Sequence, residues 1–128
     1  MTMTRLLGTW LLLAVLMPVN GAIREFAFKR LMPDRAAESL SVATGIAIIL
    51  GVTFAFFRIP AGTSHGRLAA QSVILVALTV GYEFAIGLRG GQTMKDLLGH
   101  YAIWRGELWP LVLLALAVTP WLWRGRGA

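Results

Sequence analysis

The sequence predicts an all-α integral membrane protein: a bundle of four transmembrane helices with a short interfacial helix before the fourth. Hydrophobic residues make up 57% of the 128 residues and charged residues only 14%, whereas an average soluble domain is about 45–50% apolar and about 25% charged. The mean hydropathy is +0.70. The apolar residues gather in four long runs with basic residues at their ends. Such a chain needs a non-aqueous solvent, because a soluble fold of this length would expose large apolar patches.

Four apolar runs define the expected helices. Crossing about 30 Å of hydrocarbon takes about 20 helical residues at about 1.5 Å each. The sequence therefore predicts transmembrane helices at about residues 6–28, 38–57, 68–88 and 108–123, within a single membrane domain of residues 1–128.

The first predicted helix follows Arg5 and ends before Lys29. Its charged start resembles a signal peptide, but Asn20-Gly21-Ala22 is a poor small-residue cleavage site. We therefore expect a retained signal anchor, with cleavage as the alternative.

Polar residues mark the start of the second predicted helix and separate it from the third. Asp34 and Ser39 have the side chains of N-cap residues and precede the second apolar run. His65 stands in a segment of Gly, Ser and Thr residues between the second and third runs, which favours a loop there.

A short interfacial helix is expected between the third and fourth runs. Gly90 and Gly91 end the third helix, and Thr93 and Asp96 have the spacing of a capping box. These features predict a helix at about residues 93–105. Its residues Leu97, Leu98, Tyr101 and Trp104 form one apolar stripe. We therefore expect this helix to lie in the membrane interface.

Glu83 is the residue that points most directly to a polar site. It is six residues before Arg89 and so about 9 Å inside the expected membrane boundary. An ionised carboxylate at this depth costs several kcal/mol unless it is paired or hydrated. The cations expected nearest to it are Arg24 and Arg105. Glu83, these two cations and polar residues near them in sequence or at helical spacing form the predicted polar cluster. It consists of Asn20, Arg24, Glu25, Thr79, Tyr82, Glu83, Tyr101 and Arg105.

Two interpretations of this cluster stay open. Intramembrane ionisable groups often mark an ion or substrate path, so the cluster is a candidate binding site or proton-linked gate. The alternative is a structural clamp in which Glu83 and Arg24 pair to hold two helices together in lipid.

Several other classes of protein are not favoured. The basic residues stand at the ends of apolar runs rather than in one patch, which fits lipid headgroups and not nucleic acid. The chain has no cysteine, and His65 and His100 lack a metal-ligand spacing, so we expect no metal and no cofactor. No nucleophile has an adjacent base and orienting acid, so we expect no catalytic residues.

Three motifs contain the residues of the predicted cluster. They are Asn20-Gly21-x-x-Arg24-Glu25, Leu78-Thr79-x-x-Tyr82-Glu83-Phe84-x-x-Gly87 and Tyr101-x-x-x-Arg105-Gly106-x-x-Trp109-Pro110. Together they resemble the pattern of a family of small, uncharacterised bacterial inner-membrane proteins with four helices. The resemblance implies a multi-pass protein of the cell inner membrane and adds no activity.

The sequence leaves three functional hypotheses. The first is a non-enzymatic accessory subunit or helper, the second a small proton-coupled carrier that acts as an oligomer, and the third an intramembrane enzyme. The expected partners are the lipid bilayer and either further copies of the chain or a larger membrane complex. Four crossings place both termini on one side. That side has five basic residues against seven on the other, a count that favours a cytoplasmic loop side, whereas Arg5 before the first helix favours cytoplasmic termini, which we expect.

Overall fold

The computed structural model describes residues 2–99 and 109–125. Within these ranges the chain forms five helices. In chain order they are α1 (Met3–Leu31), α2 (Asp34–Phe56), α3 (His65–Arg89), α4 (Met94–Gly99) and α5 (Trp109–Leu122). The helix α1 is α-helical over Met3–Ile23, makes a π-helical turn over Arg24–Phe28, and is α-helical again over Lys29–Leu31. The all-α class is confirmed.

Three of these helices are long and apolar enough to cross a membrane, namely α1, α2 and α3. Only 22%, 22% and 17% of the residues in their most apolar 18-residue windows are buried inside the protein. Their outward faces are therefore apolar and need lipid as solvent. The helix α5 is also apolar but has 14 residues, which is about 21 Å of helix. The chain is thus a small membrane protein with three candidate spans and a shorter apolar C-terminal helix.

The helices pack in the order α1, α2, α5, α3 around the bundle. α1 packs on α2, α2 on α5 and α5 on α3, whereas α1 and α3 meet along a much shorter strip. A hydrophobic core runs between them and consists of Leu6, Leu13, Ile49, Phe57, Ile59, Leu68, Leu75, Val112 and Leu116. The side between α1 and α3 is therefore the least tightly closed.

One end of the bundle, which we call the terminal end, is formed by the start of α1, the α2–α3 connection and the end of α5. It is tied together by hydrogen bonds. The guanidinium of Arg5 donates to the carbonyl of Phe56 at 2.8 Å, and the indole N–H of Trp123 donates to Thr53 Oγ1 at 2.8 Å. The amide of Gly125 donates to the carbonyl of Ile59. The opposite end, formed by the end of α1, the start of α2 and the end of α3, is called the loop end.

A polar seam joins α1 to α2. Asn20 is buried, its amide nitrogen donates to the carbonyl of Ser41 at 2.9 Å, and its amide oxygen accepts from Thr44 Oγ1 at 2.7 Å. Gly45 lies beside this contact, where an added Cβ would stand 3.1 Å from Met17 Cε and 3.3 Å from Asn20 Nδ2. Small and hydrogen-bonding residues hold membrane helices together because lipid removes the hydrophobic drive for their association.

The predicted end of the first helix is wrong by one turn. α1 continues through Lys29 and Arg30 instead of ending before them. Glu25 and Lys29 form an i,i+4 ion pair at 3.1 Å, which favours continued helix. The helix ends only at Met32, whose φ of −153° and ψ of 162° are extended, because the following Pro33 disfavours the α conformation there.

The expected N-caps of the second helix are also wrong. The N-cap position of α2 is Pro33, and Asp34 is the first helical residue. The Asp34 carboxylate is still stabilising there, because the N-terminus is the positive end of the helix dipole. Ser39 lies inside the helix, and its hydroxyl donates to the carbonyl of Arg35 at 3.0 Å.

The ends of the next two helices show one further correction and one confirmation. His65 is the first residue of α3 rather than a loop residue, with Ser64 as N-cap accepting from the amide of Arg67 at 3.2 Å. The predicted capping box of α4 is confirmed, because Thr93 and Asp96 exchange two hydrogen bonds of 3.1 Å. The part of the predicted interfacial helix beyond residue 99 lies outside the described residues.

Candidate functional site

A cavity of about 740 Å³ lies inside the bundle and is lined by residues of α1, α2, α3 and α5. On α1 its lining extends from Trp10 near the terminal end to Lys29 at the loop end. Exposed residues of the loop end, such as Asp34 and Gln92, form its mouth. Its volume is within the range of about 300–1,000 Å³ typical of small-molecule sites.

The interior of the cavity differs in chemistry from its mouth. Its inner walls are apolar and aromatic and consist mainly of Trp10, Leu13, Met17, Val42, Ile49, Tyr82, Trp109, Val112, Leu113 and Leu116. The charged side chains of the lining are Arg24, Glu25, Lys29, Asp34, Glu38 and Glu83. The cavity therefore joins an apolar chamber to a charged rim, which is the arrangement that a molecule with an apolar body and a polar head requires.

Six of the eight residues predicted for the polar cluster line this one cavity. They are Asn20, Arg24, Glu25, Thr79, Tyr82 and Glu83. The remaining two, Tyr101 and Arg105, lie outside the described residues. Helix spacing in α1 and α3 is what brings the six to a common space, since each helix turns several of them toward the same interior.

Two ion pairs at the mouth share the carboxylate of Glu25. Arg24 Nε stands 3.5 Å from Glu25 Oε1, and Lys29 Nζ stands 3.1 Å from the same oxygen. Neither of these two pairs includes Glu83, and its pairing with Arg24 stays a prediction. Glu25 is the nearer carboxylate because it follows Arg24 directly on α1. Glu83 is partly buried on the α3 wall of the cavity.

Sequence reasoning did not place Lys29 at the site, because Lys29 was assigned to the segment after the first helix. The π-helical turn over Arg24–Phe28 is the local feature that accompanies this difference. Such turns are rare and frequently occur at functional sites. Here the turn contains both Arg24 and Glu25 at the rim of the cavity.

Tyr82 connects α3 to α1 beside the cavity. Its hydroxyl donates to the carbonyl of Ala14 at 3.0 Å. Pro18, four residues after Ala14, lies inside α1 and has no N–H to donate to that carbonyl. The tyrosine on α3 therefore supplies the hydrogen bond that the proline removes from α1.

Thr79 makes a second contact across the same gap. Its hydroxyl accepts a hydrogen bond from the indole N–H of Trp10 at 3.0 Å and donates to the carbonyl of Leu75 at 2.8 Å. The rings of Trp10 and Tyr82 meet edge to face, with centroids 5.7 Å apart. Sequence reasoning missed Trp10 and Pro18, although a proline within an apolar run already indicates an unsatisfied carbonyl one turn earlier.

Asn20 lies on the cavity wall, but its amide is used in the seam with α2 through Ser41 and Thr44. It therefore positions α1 against α2.

No metal site is found in the described part of the chain, where no group of three or more His, Asp or Glu residues could hold an ion. His65 accepts a hydrogen bond from the indole N–H of Trp121 at 3.2 Å, through Nδ1, at the terminal end. His100 lies outside the described residues.

The fold and cavity define a small all-α membrane protein with an internal chamber. Compared with protein-family models, curated proteins and solved structures, the chain matches none. The resemblance to a bacterial inner-membrane family stays a prediction.

Proposed function

We propose that this chain is a four-span membrane protein that acts without catalysis, as a helper or subunit that binds an amphiphilic molecule in its internal cavity. The observation that carries this proposal is the cavity of about 740 Å³, which joins an apolar chamber to a charged mouth. The cavity is lined by the six described residues of the predicted polar cluster.

Contacts at the terminal end support the fourth crossing. The Arg5 side chain, near the start of α1, contacts Phe56, and Trp123, just after α5, contacts Thr53. Phe56 and Thr53 both belong to the last turn of α2. The start of α1 and the end of α5 thus meet at the same end of α2, as they do when all four apolar helices cross.

The orientation proposed is that of a bacterial inner-membrane protein with cytoplasmic termini. Among the described residues the terminal end carries four basic residues, Arg5, Arg58, Arg67 and Arg124, and the loop end carries six, Arg24, Lys29, Arg30, Arg35, Arg89 and Lys95. The proposal follows the first helix, which usually dominates the orientation, rather than this count. Basic residues flanking a first helix on its N-terminal side are retained in the cytoplasm. Assembly with further copies or into a larger complex stays a prediction.

The binding proposal is tested with three dansyl amphiphiles of one apolar body, whose heads are trimethylammonium, hydroxyl or sulfonate. The protein is placed in nanodiscs of zwitterionic lipid, and dansyl emission is excited directly and titrated against empty nanodiscs. We expect saturable binding of at least one probe above lipid partition. Failure of all three probes to bind saturably would contradict the proposal.

A small proton-coupled carrier is the second candidate, favoured by the carboxylate of Glu83 on the cavity wall. Its test is uptake of the bound probe into proteoliposomes driven by a pH gradient. A carrier would show uptake that Glu83→Gln abolishes while probe binding and folding persist. A helper or subunit would show binding without uptake in either protein.

A further inference from the structure

We infer that the cavity selects amphiphiles with a cationic head: an organic amine or quaternary ammonium group attached to an apolar body. This inference rests on the proposed binding function and adds the class of ligand. It follows from the balance of charge on the cavity lining, from the aromatic side chains there and from the apolar depth.

The charged side chains that line the cavity are distributed unevenly among the helices. α1 contributes Arg24, Glu25 and Lys29, and both cations lie within 3.5 Å of the same Glu25 carboxylate. This carboxylate offsets part of their attraction for an anionic ligand.

The other walls contribute carboxylates alone. α2 contributes Asp34 and Glu38, and α3 contributes Glu83, with no Lys or Arg of these two helices among the described lining residues. The described lining thus has four carboxylates and two cations.

Aromatic side chains supply a second attraction for a cation. Trp10, Tyr82 and Trp109 all line the cavity. The indole N–H of Trp10 and the hydroxyl of Tyr82 are already used by Thr79 and Ala14. These two residues therefore contact a ligand through their rings, whose π-electrons attract cations, most strongly when water is excluded.

The apolar inner walls of the cavity require that the ligand also have an apolar body. Leucine, valine, isoleucine and methionine side chains from α1, α2 and α5 line these walls. Burial of an apolar body there gains about 25 cal/mol for each Å² removed from water. A small hydrophilic cation makes no such gain, so the inferred ligand needs both parts.

The experiment compares the three dansyl probes on the wild-type protein and on Glu38→Gln, with Ser39→Lys as the matched control. Both substitutions raise the net charge by one, but Glu38 lines the cavity, whereas Ser39 is exposed and outside the lining. We expect wild-type protein to bind the trimethylammonium probe at least tenfold more tightly than the sulfonate probe. Glu38→Gln should reduce that preference severalfold, and Ser39→Lys should leave it nearly unchanged.

The outcomes separate this inference from the function on which it rests. Saturable binding of the three probes with equal affinity, or a preference for the sulfonate, overturns the cationic inference and leaves the binding function standing. An equal loss of preference in Glu38→Gln and Ser39→Lys also overturns it, because the preference would then reflect net charge. If phosphatidylethanolamine in the nanodisc competes with the probe, the natural ligand is a lipid amine. If probe binding is unaffected, the natural ligand is a water-soluble amphiphile. Both results support the cationic head.

Discussion

The hydroxyl of Tyr82 on α3 donates a 3.0 Å hydrogen bond to the carbonyl of Ala14 on α1, the carbonyl that Pro18 leaves without a helical partner. An unsatisfied carbonyl is costly where no water reaches it. The bond therefore makes the proline tolerable and joins α1 to α3 along the side where the two helices pack least.

This relationship predicts that the effects of Tyr82→Phe and Pro18→Ala depend on each other. Tyr82→Phe alone should lower the free energy of unfolding by about 1–2 kcal/mol, since it leaves the Ala14 carbonyl unpaired. In a Pro18→Ala background the new N–H at residue 18 satisfies that carbonyl, so the same substitution should cost less. Thermal unfolding of the four proteins in detergent gives the coupling energy. An equal cost in both backgrounds would show that the proline and the tyrosine act separately.

The α1–α2 seam gives a prediction with a control on the same helix. An added Cβ at Gly45 approaches Met17 and the hydrogen-bonded amide of Asn20, whereas at Gly51 it meets nothing within 4 Å. We expect Gly45→Val to destabilise the protein by about 1–3 kcal/mol through overpacking. Gly51→Val should change stability by less than about 1 kcal/mol. Similar melting temperatures for the two variants would contradict the close packing described at Gly45.

The topology is tested by cysteine labelling, which the absence of native cysteine simplifies. Single cysteines at Gly62 and Arg124, both exposed at the terminal end, should resist a membrane-impermeant maleimide in intact cells and react after lysis. A cysteine at the exposed Met94, at the loop end, should react in intact cells. Opposite reactivities at Gly62 and Arg124 would mean that α5 does not cross. Reversal of all three would place the termini outside.

Composition and run length were sufficient to predict the helices, because a lipid solvent demands long apolar segments and leaves few alternatives. The same reasoning, applied to the cost of a carboxylate within lipid depth, selected Glu83 and the neighbours that line the cavity. These predictions need only the position of a residue along one helix.

The predictions that failed needed relations between elements or between competing local effects. The charges of Lys29 and Arg30 predict that the first helix ends before them, but the extended residue before Pro33 ends it. The pairing of Tyr82 with Ala14 depends on the register of α1 against α3, which no single-helix pattern contains.

The central claim is that the internal cavity binds the ligand, and two neighbouring residues of α5 test it. Leu113 lines the cavity, whereas Leu114 is 60% exposed on the outer face of the same helix. A tryptophan at residue 113 should occupy part of the chamber, and one at residue 114 should lie in lipid.

The decisive measurement is the dissociation constant of the best-binding dansyl probe in nanodiscs for Leu113→Trp and Leu114→Trp, with both proteins shown to be folded by their melting temperatures. We predict that Leu113→Trp weakens binding at least tenfold and that Leu114→Trp binds as the wild type does. Equal affinity in the two variants would contradict binding within the cavity.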